Sequence, residues 1–337
     1  MTMKALVYAA KEHMELRNEP EPVAEQGEVI VRILKAGICG SDMHAYHGHD
    51  PRRVPPLILG HEACGIAESG KYKGQKVVLN PLITCGECND CLTGRQNLCQ
   101  CRTAIGLKKP GAFADFTAIP ERNLIPVPND MPAEHAALAE PTATAVHAVA
   151  LGERHTHRPL SEYKILVIGA GSIGLLTALL LQYKGCMDVT VSDTNSLRLT
   201  TCQQVGIDKV HNPLNDAPHP ENHFDWVIDA VGSAITRDVA MHAIRPGGVF
   251  IHVGLQDASG TFDVRKMTLQ EVAVIGAFSY TQTDMKVAVD YLYSGALGTL
   301  NWIEERQLSE GAAAFSDLDQ GKTAAAKIIL QIADMPG

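Results

Sequence analysis

Four cysteines in one short segment have the residue type and spacing of a metal site. They are Cys85, Cys88, Cys91 and Cys99, in the pattern C-x2-C-x2-C-x7-C. Gly86 and Gly94 allow the tight turns that would fold four thiolates around one tetrahedral zinc ion. An iron-sulfur cluster is the alternative, but its commonest bacterial pattern has a shorter last gap followed by proline. Four sulfurs leave no open position on the metal, so the pattern predicts a structural zinc lobe over residues 84–102.

Cysteine, histidine and carboxylate side chains also occur in three separate polar clusters. These are Cys39-Gly40-Ser41-Asp42, Gly60-His61-Glu62 and Glu140-Pro141. Such donors together suit a catalytic zinc ion that keeps one position open for substrate. Each cluster also has a simpler explanation, as a core thiol, a loop pair or a carboxylate at the start of a helix. Spacing alone leaves these interpretations open.

A glycine-rich turn follows an apolar run and precedes a helical pattern. The run is Ile165-Leu166-Val167-Ile168 and the turn is Gly169-Ala170-Gly171-Ser172-Ile173-Gly174. In this context the G-x-G-x-x-G pattern predicts a dinucleotide site. Gly169 permits the turn, Gly171 lets the pyrophosphate approach, and Gly174 lets helix and strand pack closely. The free backbone amides that begin the helix, at Ser172 and Ile173, would face the phosphates.

The choice between NAD and NADP depends on a carboxylate. Asp193 stands 19 residues after Gly174, at the end of the next strand, where it could accept hydrogen bonds from ribose hydroxyls and repel a 2'-phosphate. NAD is therefore favoured, although Arg198 could contact the adenine side and Asp193 could instead cap the strand end. Val253, after a later apolar strand, is a further candidate contact with the cofactor.

The elements that must position these residues change character near residue 163. Before it, strand-like runs such as residues 28–34 are broken by proline and glycine, which indicates a β-rich region. After it, apolar strands alternate with helical patterns, which predicts an α/β region with a doubly wound parallel sheet. The later run Lys327-Ile328-Ile329-Leu330 could pair back with the N-terminal half.

Composition narrows the range of partners. The 337 residues include 29 Lys and Arg against 38 Asp and Glu, and this net charge of −9 argues against a nucleic-acid-binding surface. The apolar segment 165–181 contains three glycines and is short for a bilayer, so it predicts a buried strand and helix rather than a membrane span. No apolar leader follows Met1, so we expect a cytoplasmic protein with reduced cysteines.

Taken in order, these motifs resemble those of the zinc-containing medium-chain alcohol dehydrogenases, closest to the sorbitol, threonine and galactitol-phosphate dehydrogenase branch. The resemblance covers nearly the whole chain. It implies a GroES-like β-rich catalytic domain over residues 1–147, a Rossmann NAD-binding domain over 148–284, and a return segment over 285–337. It also implies one structural and one catalytic zinc ion, and a homodimer or homotetramer with Val272-Ala273-Val274-Ile275 as the candidate edge strand.

The resemblance also implies roles for the polar clusters. The expected catalytic zinc ligands are Cys39 and His61, with Glu62 or Glu140 as the third. The carboxylate that is not a ligand could bind a zinc-bound water, and Asp42 would orient His61. Zinc would lower the pKa of an alcohol, and hydride would then move to the nicotinamide. Ser41 would accept the alcohol proton and His44 would pass it to solvent, although His44 could also be an ordinary surface histidine.

We therefore predict a zinc-dependent, NAD-linked oxidoreductase acting reversibly on a secondary alcohol of a small polyol or sugar derivative. Sugar acids and sugar phosphates are included, because Arg52 and Arg53 could bind an anionic group, although they could also form a solvated basic turn. One alternative is amino-alcohol oxidation of the threonine dehydrogenase type. Another is a non-catalytic nucleotide-binding protein such as a redox sensor.

Overall fold

The computed structural model describes residues 1–334. Alternating apolar positions make the first half strand-rich: Val29, Val31 and Ile33 are all buried on one face of a ten-residue strand. The strands here are β1 (Thr2–Ala10), β2 (His13–Pro20), β3 (Glu28–Gly37), β4 (Leu57–Ile58), β5 (Glu62–Ala67), β6 (Lys76–Leu79), β7 (Leu82–Ile83), β8 (Thr103–Ala104), β9 (Phe116–Pro120) and β10 (Leu124–Pro126). The helices are α1 (Gly40–Tyr46), α2 (Asn89–Leu92), α3 (Ala133–Ala137) and α4 (Ala139–Glu153).

The middle of the chain alternates strands and helices. Its strands are β11 (Lys164–Ile168), β12 (Asp188–Ser192), β13 (Lys209–His211), β14 (Phe224–Asp229), β15 (Ile244–His252) and β16 (Ala273–Gly276). Its helices are α5 (Ser172–Tyr183), α6 (Ser196–Gln204), α7 (Ala234–Ala243), α8 (Val264–Leu269) and α9 (Gln282–Tyr293). All six strands are parallel, in the order β13-β12-β11-β14-β15-β16, which is the doubly wound Rossmann order. The predicted α/β fold class is confirmed.

The last elements return to the first half. They are β17 (Ile303–Gln307), α10 (Gly311–Asp319) and β18 (Lys327–Gln331). β18 pairs antiparallel with β3, so the sheet runs β10-β6-β5-β3-β18-β17, with β9 also on β3. The predicted pairing of this tail with the N-terminal half is confirmed. It places residue 327 next to residues that precede it by nearly three hundred positions.

Helix α4 joins the two halves. It packs against α5 and α9, and its buried alanines and valines belong to one apolar core together with residues of both sheets. The apolar segment considered as a possible membrane span divides into β11 and α5. Within residues 1–334, the structure contains no helix whose length and apolar character would suffice to cross a membrane.

Candidate active site

Strand pairing brings the first two polar clusters together. Cys39 follows β3, and Glu62 begins β5, which pairs with β3 so that Gly37 faces Glu62. A Cβ at Gly37 would collide with the Glu62 carboxylate, so glycine is required at this close approach. One potential metal-ligating atom from each of Cys39, His61 and Glu62 lies within 4.8 Å of the others.

Asp42 orients this cluster from within helix α1. The side chain is fully buried, accepts a hydrogen bond of 3.0 Å from the Cys39 backbone N–H, and lies 3.4 Å from His61 Nδ1. Burial alone would raise the pKa of Asp42, but His61 and Arg53 outweigh it and lower that pKa. The His61 ring therefore presents Nε2 to the cluster, where it lies 3.5 Å from Ser41 Oγ.

Glu62 has a cationic partner that the sequence did not reveal. Lys327 Nζ, on β18, donates to both Glu62 oxygens at 2.8 and 2.7 Å and to the Ile38 carbonyl at 2.8 Å. Both side chains are buried, so each charge has its counter-charge inside the protein. The only sequence signal was a lysine at the start of an apolar run.

Glu140 lies in the first turn of α4 and outside the 4.8 Å group. Burial raises the pKa of Glu140 to about 7; the neighbouring Glu62 adds to this effect and His61 opposes it. Next to it is Tyr280, whose buried hydroxyl has no hydrogen-bond partner within residues 1–334 and whose pKa is raised by burial and by Glu140. Nothing in the residues around Tyr280 singles it out at the sequence level.

The donor set fits a catalytic zinc ion. A thiol, an imidazole and a carboxylate are ligand types that zinc accepts, and three protein ligands leave a fourth position for substrate. Cys39, His61 and Glu62 are the residues that would hold it, and Glu140 is a neighbouring carboxyl group that could bind a zinc-bound water.

His44 lies one turn after Ser41 on the same helix and is partly buried. Burial, then the neighbouring His49, lowers the pKa of His44, so its imidazole is neutral near pH 7. A neutral imidazole can accept a proton, as a relay requires. Ser41 and His44 thus lie one turn apart on one short helix, and Ser41 contacts the cluster through His61.

Arg52 and Arg53 do not form an open anion-binding pair. Both guanidinium groups bind Asp50, Arg52 through 2.8 and 2.9 Å contacts and Arg53 through a 2.7 Å contact. The two cations hold the pKa of Asp50 near 2 although burial would raise it. Arg53 is buried and also bonds Gly106 O and Ser41, so it is part of the fold around the site. The suggested binding of an anionic substrate group by this pair is not supported.

The four cysteines of the lobe converge. All four sulfurs lie within 4.8 Å of one another, and Cys85 Sγ is 3.8 Å from Cys91 Sγ and 3.6 Å from Cys99 Sγ. Sulfurs about 2.3 Å from a tetrahedral zinc ion would be about 3.8 Å apart, so the geometry fits. The backbone N–H groups of Glu87 and Cys88 lower the pKa of the Cys85 thiol to about 6, which favours a thiolate.

The glycine turn connects β11 to α5 in the geometry that a dinucleotide requires. Gly169 has a φ of +101°, and a Cβ at Gly174 would collide with the Gly169 carbonyl oxygen. Gly171 has open space at its Cβ position and caps α5 without a side chain, which leaves the amides of Ser172 and Ile173 for phosphates.

Asp193 lies against this turn. Its carboxylate accepts from the Ala170 N–H at 2.6 Å and from the Asn195 N–H at 2.7 Å. Each oxygen keeps a lone pair for a ribose hydroxyl, so the contacts fit a cofactor and also a strand-end cap. Arg198 follows on α6 with its Nε buried and unpartnered within residues 1–334, and Val253 follows β15 at the same carboxyl edge of the sheet.

Comparison with known proteins agrees with this geometry. Residues 25–129 match the alcohol dehydrogenase GroES-like domain, and residues 172–294 match the zinc-binding dehydrogenase domain. L-threonine 3-dehydrogenase of Rhizobium rhizogenes is 38% identical over an alignment of 294 residues, and the match covers 82% of this chain and 83% of that protein. This chain belongs to the zinc-dependent medium-chain alcohol dehydrogenases.

Solved structures of this dehydrogenase family share the whole fold. L-idonate 5-dehydrogenase of Escherichia coli has a TM-score of 0.86 at 25% identity, covering 98% of this chain and 99% of that one. A zinc-binding dehydrogenase of Sinorhizobium meliloti bound to NADP has a TM-score of 0.86 at 27% identity, with the same coverage. The predicted family, its GroES-like and Rossmann folds, and its zinc and nicotinamide cofactors are confirmed. The protein is an alcohol dehydrogenase-type oxidoreductase, and the interpretation as a non-catalytic redox sensor is not supported.

Proposed function

We propose that this dehydrogenase oxidises a secondary alcohol of a small, neutral polyol or sugar derivative, reversibly and with NAD. The observation that carries the proposal is the Ser41 hydroxyl, 3.5 Å from His61 Nε2 at the edge of the Cys39, His61 and Glu62 cluster. A proton acceptor is thus adjacent to the place where a metal-activated alcohol would bind.

The residues around the cluster have separate roles in alcohol oxidation. When bound, zinc supplies Lewis acidity that lowers the pKa of an alcohol, and nicotinamide supplies the hydride acceptor. Ser41 accepts the hydroxyl proton of the substrate, and His44, neutral near pH 7, carries that proton toward solvent. Asp42 keeps His61 in one orientation throughout.

Charge balance favours a neutral substrate. Among the described residues around the cluster, Lys327 is paired with Glu62, and both Arg52 and Arg53 are paired with Asp50. A carboxylate or phosphate on the substrate would have to compete with these ion pairs. The partly buried Glu140 and the Tyr280 hydroxyl can instead accept from and donate to neutral hydroxyl groups.

Threonine oxidation is the second candidate. Relatives that are 38% and 30% identical to this chain are named L-threonine 3-dehydrogenase. Threonine carries a carboxylate and an ammonium group next to its secondary alcohol. A screen of polyols, sugar acids, sugar phosphates and threonine, with NAD and with NADP, separates the candidates. Efficient turnover of threonine or of unbranched aliphatic alcohols, with none of polyols, would contradict the proposed substrate class.

We expect Asp193 to set the preference for NAD. Asp193→Ser should narrow the ratio of kcat/KM values for NAD over NADP by about tenfold, since a charge-assisted hydrogen bond contributes about 1.5–3 kcal/mol. Asp188→Ser is a matched control, because Asp188 lies at the other end of β12 and pairs with Lys209. Equal efficiency with both cofactors in the unmutated enzyme would show that Asp193 only caps its strand.

We also propose that two chains associate through β16, which ends the parallel sheet and pairs only with β15 within residues 1–334. Val274 on this strand is exposed, as an unpaired edge residue would be. Light scattering of the purified protein should give the molar mass of a dimer or tetramer. Val274→Pro should lower that molar mass toward the value of the monomer, because proline removes a backbone N–H from the edge strand.

We place the enzyme in the cytoplasm because its cysteines are suited to a reducing compartment. All nine are free thiols in the structure, including the four that converge in the lobe. Fractionation of the source cells, with activity followed by NAD reduction, tests this assignment.

A further inference from the structure

We propose that Arg53 is a positioning residue that orients the Ser41 hydroxyl for proton transfer. The inference rests on the proposed alcohol oxidation and assigns a role to a residue outside the metal cluster. Arg53 is 12 residues from Ser41 in sequence and lies in the loop that follows α1.

The guanidinium group of Arg53 is held from several sides. Its Nε donates to the Gly106 carbonyl at 2.8 Å, and its Nη1 donates to Asp50 Oδ2 at 2.7 Å and to the Ser41 carbonyl at 3.3 Å. Its Nη2 donates to Ser41 Oγ at 3.2 Å. The residue is 8% exposed, so these contacts are shielded from competing water.

The hydrogen bond from Arg53 to Ser41 Oγ determines which lone pair of the hydroxyl can accept a proton. A hydroxyl has one proton and two lone pairs, and a guanidinium group only donates. Arg53 therefore occupies one lone pair of Ser41 Oγ and leaves the other lone pair and the hydroxyl proton available. The free lone pair can accept the substrate proton while the serine proton leaves for the next acceptor.

The transfer is balanced at each atom. The O–H bond of the alcohol breaks, a new O–H bond forms at Ser41 Oγ, and the original serine proton moves to the neutral His44 imidazole. Bound NAD would supply the acceptor for the two electrons of the C–H bond, which would leave the substrate as hydride. The positive charge of Arg53, partly balanced by Asp50, stabilises negative charge on Oγ during the transfer.

A lysine could not replace this arrangement. Lysine carries one compact ammonium group, whereas Arg53 uses donors that point to Gly106, Asp50 and Ser41 at once. Arg52 offers a matched comparison, because it binds the same Asp50 but is exposed and has no bond to Ser41 within residues 1–334.

A double-mutant cycle in the zinc-loaded enzyme tests whether Arg53 acts through Ser41. Arg53→Lys should lower kcat by about tenfold or more with KM for alcohol nearly unchanged, and should increase the solvent deuterium isotope effect on kcat. In a Ser41→Ala background the same change should alter kcat by less than about twofold. Arg52→Ala should leave kcat and the isotope effect as in the unmutated enzyme.

An equal loss of kcat in both backgrounds would overturn the inference, because Arg53 would then act by maintaining the loop alone. A crystal structure of the unmutated enzyme with NADH gives a readout that needs no variant. We expect Arg53 Nη2 to remain within hydrogen-bonding distance of Ser41 Oγ, and loss of that contact would also overturn the inference. Absence of turnover with every secondary alcohol would contradict the proposed function itself, which distinguishes the two failures.

Discussion

The two cysteine-containing sites of this protein are built in opposite ways. The lobe takes all four sulfurs from residues 85–99, and its own turns bring them together. The second site takes Cys39 from the N-terminus of α1, and His61 and Glu62 from the start of β5. It depends on Lys327, which is 265 residues beyond Glu62. A local site can close around a metal, whereas an assembled site can surround an open position with other functional groups.

The difference extends to charge. In the lobe, backbone N–H groups and then the neighbouring thiols of Cys99 and Cys88 lower the pKa of Cys85, which favours a thiolate. At the second site the carboxylates Asp42 and Glu62 are completely buried and face the ionisable partners His61 and Lys327. Burying two opposite charges costs desolvation free energy that their attraction often does not recover, and removing one partner of such a pair strongly destabilises the protein. We therefore infer that these buried pairs serve chemistry rather than stability.

The largest expected effect is the loss of turnover when the assembled site is broken. Cys39→Ala should lower kcat by about 10³-fold or more, because Lewis-acid activation of an alcohol contributes several kcal/mol. The melting temperature should change by only a few degrees, since the Cys39 side chain is partly exposed. Steady-state kinetics with metal analysis and calorimetry measure both. A large loss of stability with little loss of activity would reverse the comparison.

The reverse result is expected in the lobe. Cys99→Ser should lower the melting temperature by about 5 °C or more, because a structural metal contributes to folding. The remaining folded enzyme should keep kcat within about tenfold of the unmutated value. Cys101→Ser is the control, because Cys101 is exposed and outside the sulfur cluster. Iron and sulfide in the purified protein would refute a zinc lobe.

A smaller loss of activity is expected when proton transfer at the second site is impaired and metal binding is kept. His44→Ala should lower alcohol oxidation by about 10²-fold at neutral pH without loss of metal, and proton-accepting buffers should restore part of the rate. Because the pKa of His44 is lowered from 6.5, its neutral form persists at neutral pH and is lost only in more acidic solution. The unmutated enzyme should therefore slow in acid, and the variant should lose that part of the profile.

His155→Ala serves as the control for His44, because His155 is exposed just after α4 and lies outside α1 and the loop that follows it. Its pH profile should match that of the unmutated enzyme. If His44→Ala also leaves the profile unchanged, His44 is an ordinary surface histidine and Ser41 must release its proton by another route.

The smallest expected effect tests how independent the two sites are. Asn97, buried within the lobe, donates to the Phe278 carbonyl at 2.8 Å and lies 3.4 Å from His147 Nε2 on α4. Asn97→Ala should lower the free energy of unfolding by about 1–2 kcal/mol and change kcat by less than about threefold. Gln100→Ala, at an exposed position in the lobe, should change neither. A tenfold loss of kcat would mean that the lobe positions the segment leading to Tyr280.

The sequence by itself determined the features that arise from neighbouring residues. The spacing of the four cysteines, the glycine turn before α5, and the alternation of strands and helices each depend on contacts within a few turns of chain. These patterns gave the fold class and the family. The resemblance to that family also implied Cys39 and His61 as metal ligands, and left the third ligand open between Glu62 and Glu140.

Only the tertiary structure decided which charges meet. Lys327 reaches Glu62 because β18 pairs with β3, and Arg53 reaches Ser41 because its loop folds back over α1. Tyr280 approaches Glu140 because its segment packs beside α4. Hydrophobic periodicity specifies which face of an element is buried, but it says nothing about the polar partner that a buried charge will find. Such partners depend on strand register and packing between residues far apart in the chain.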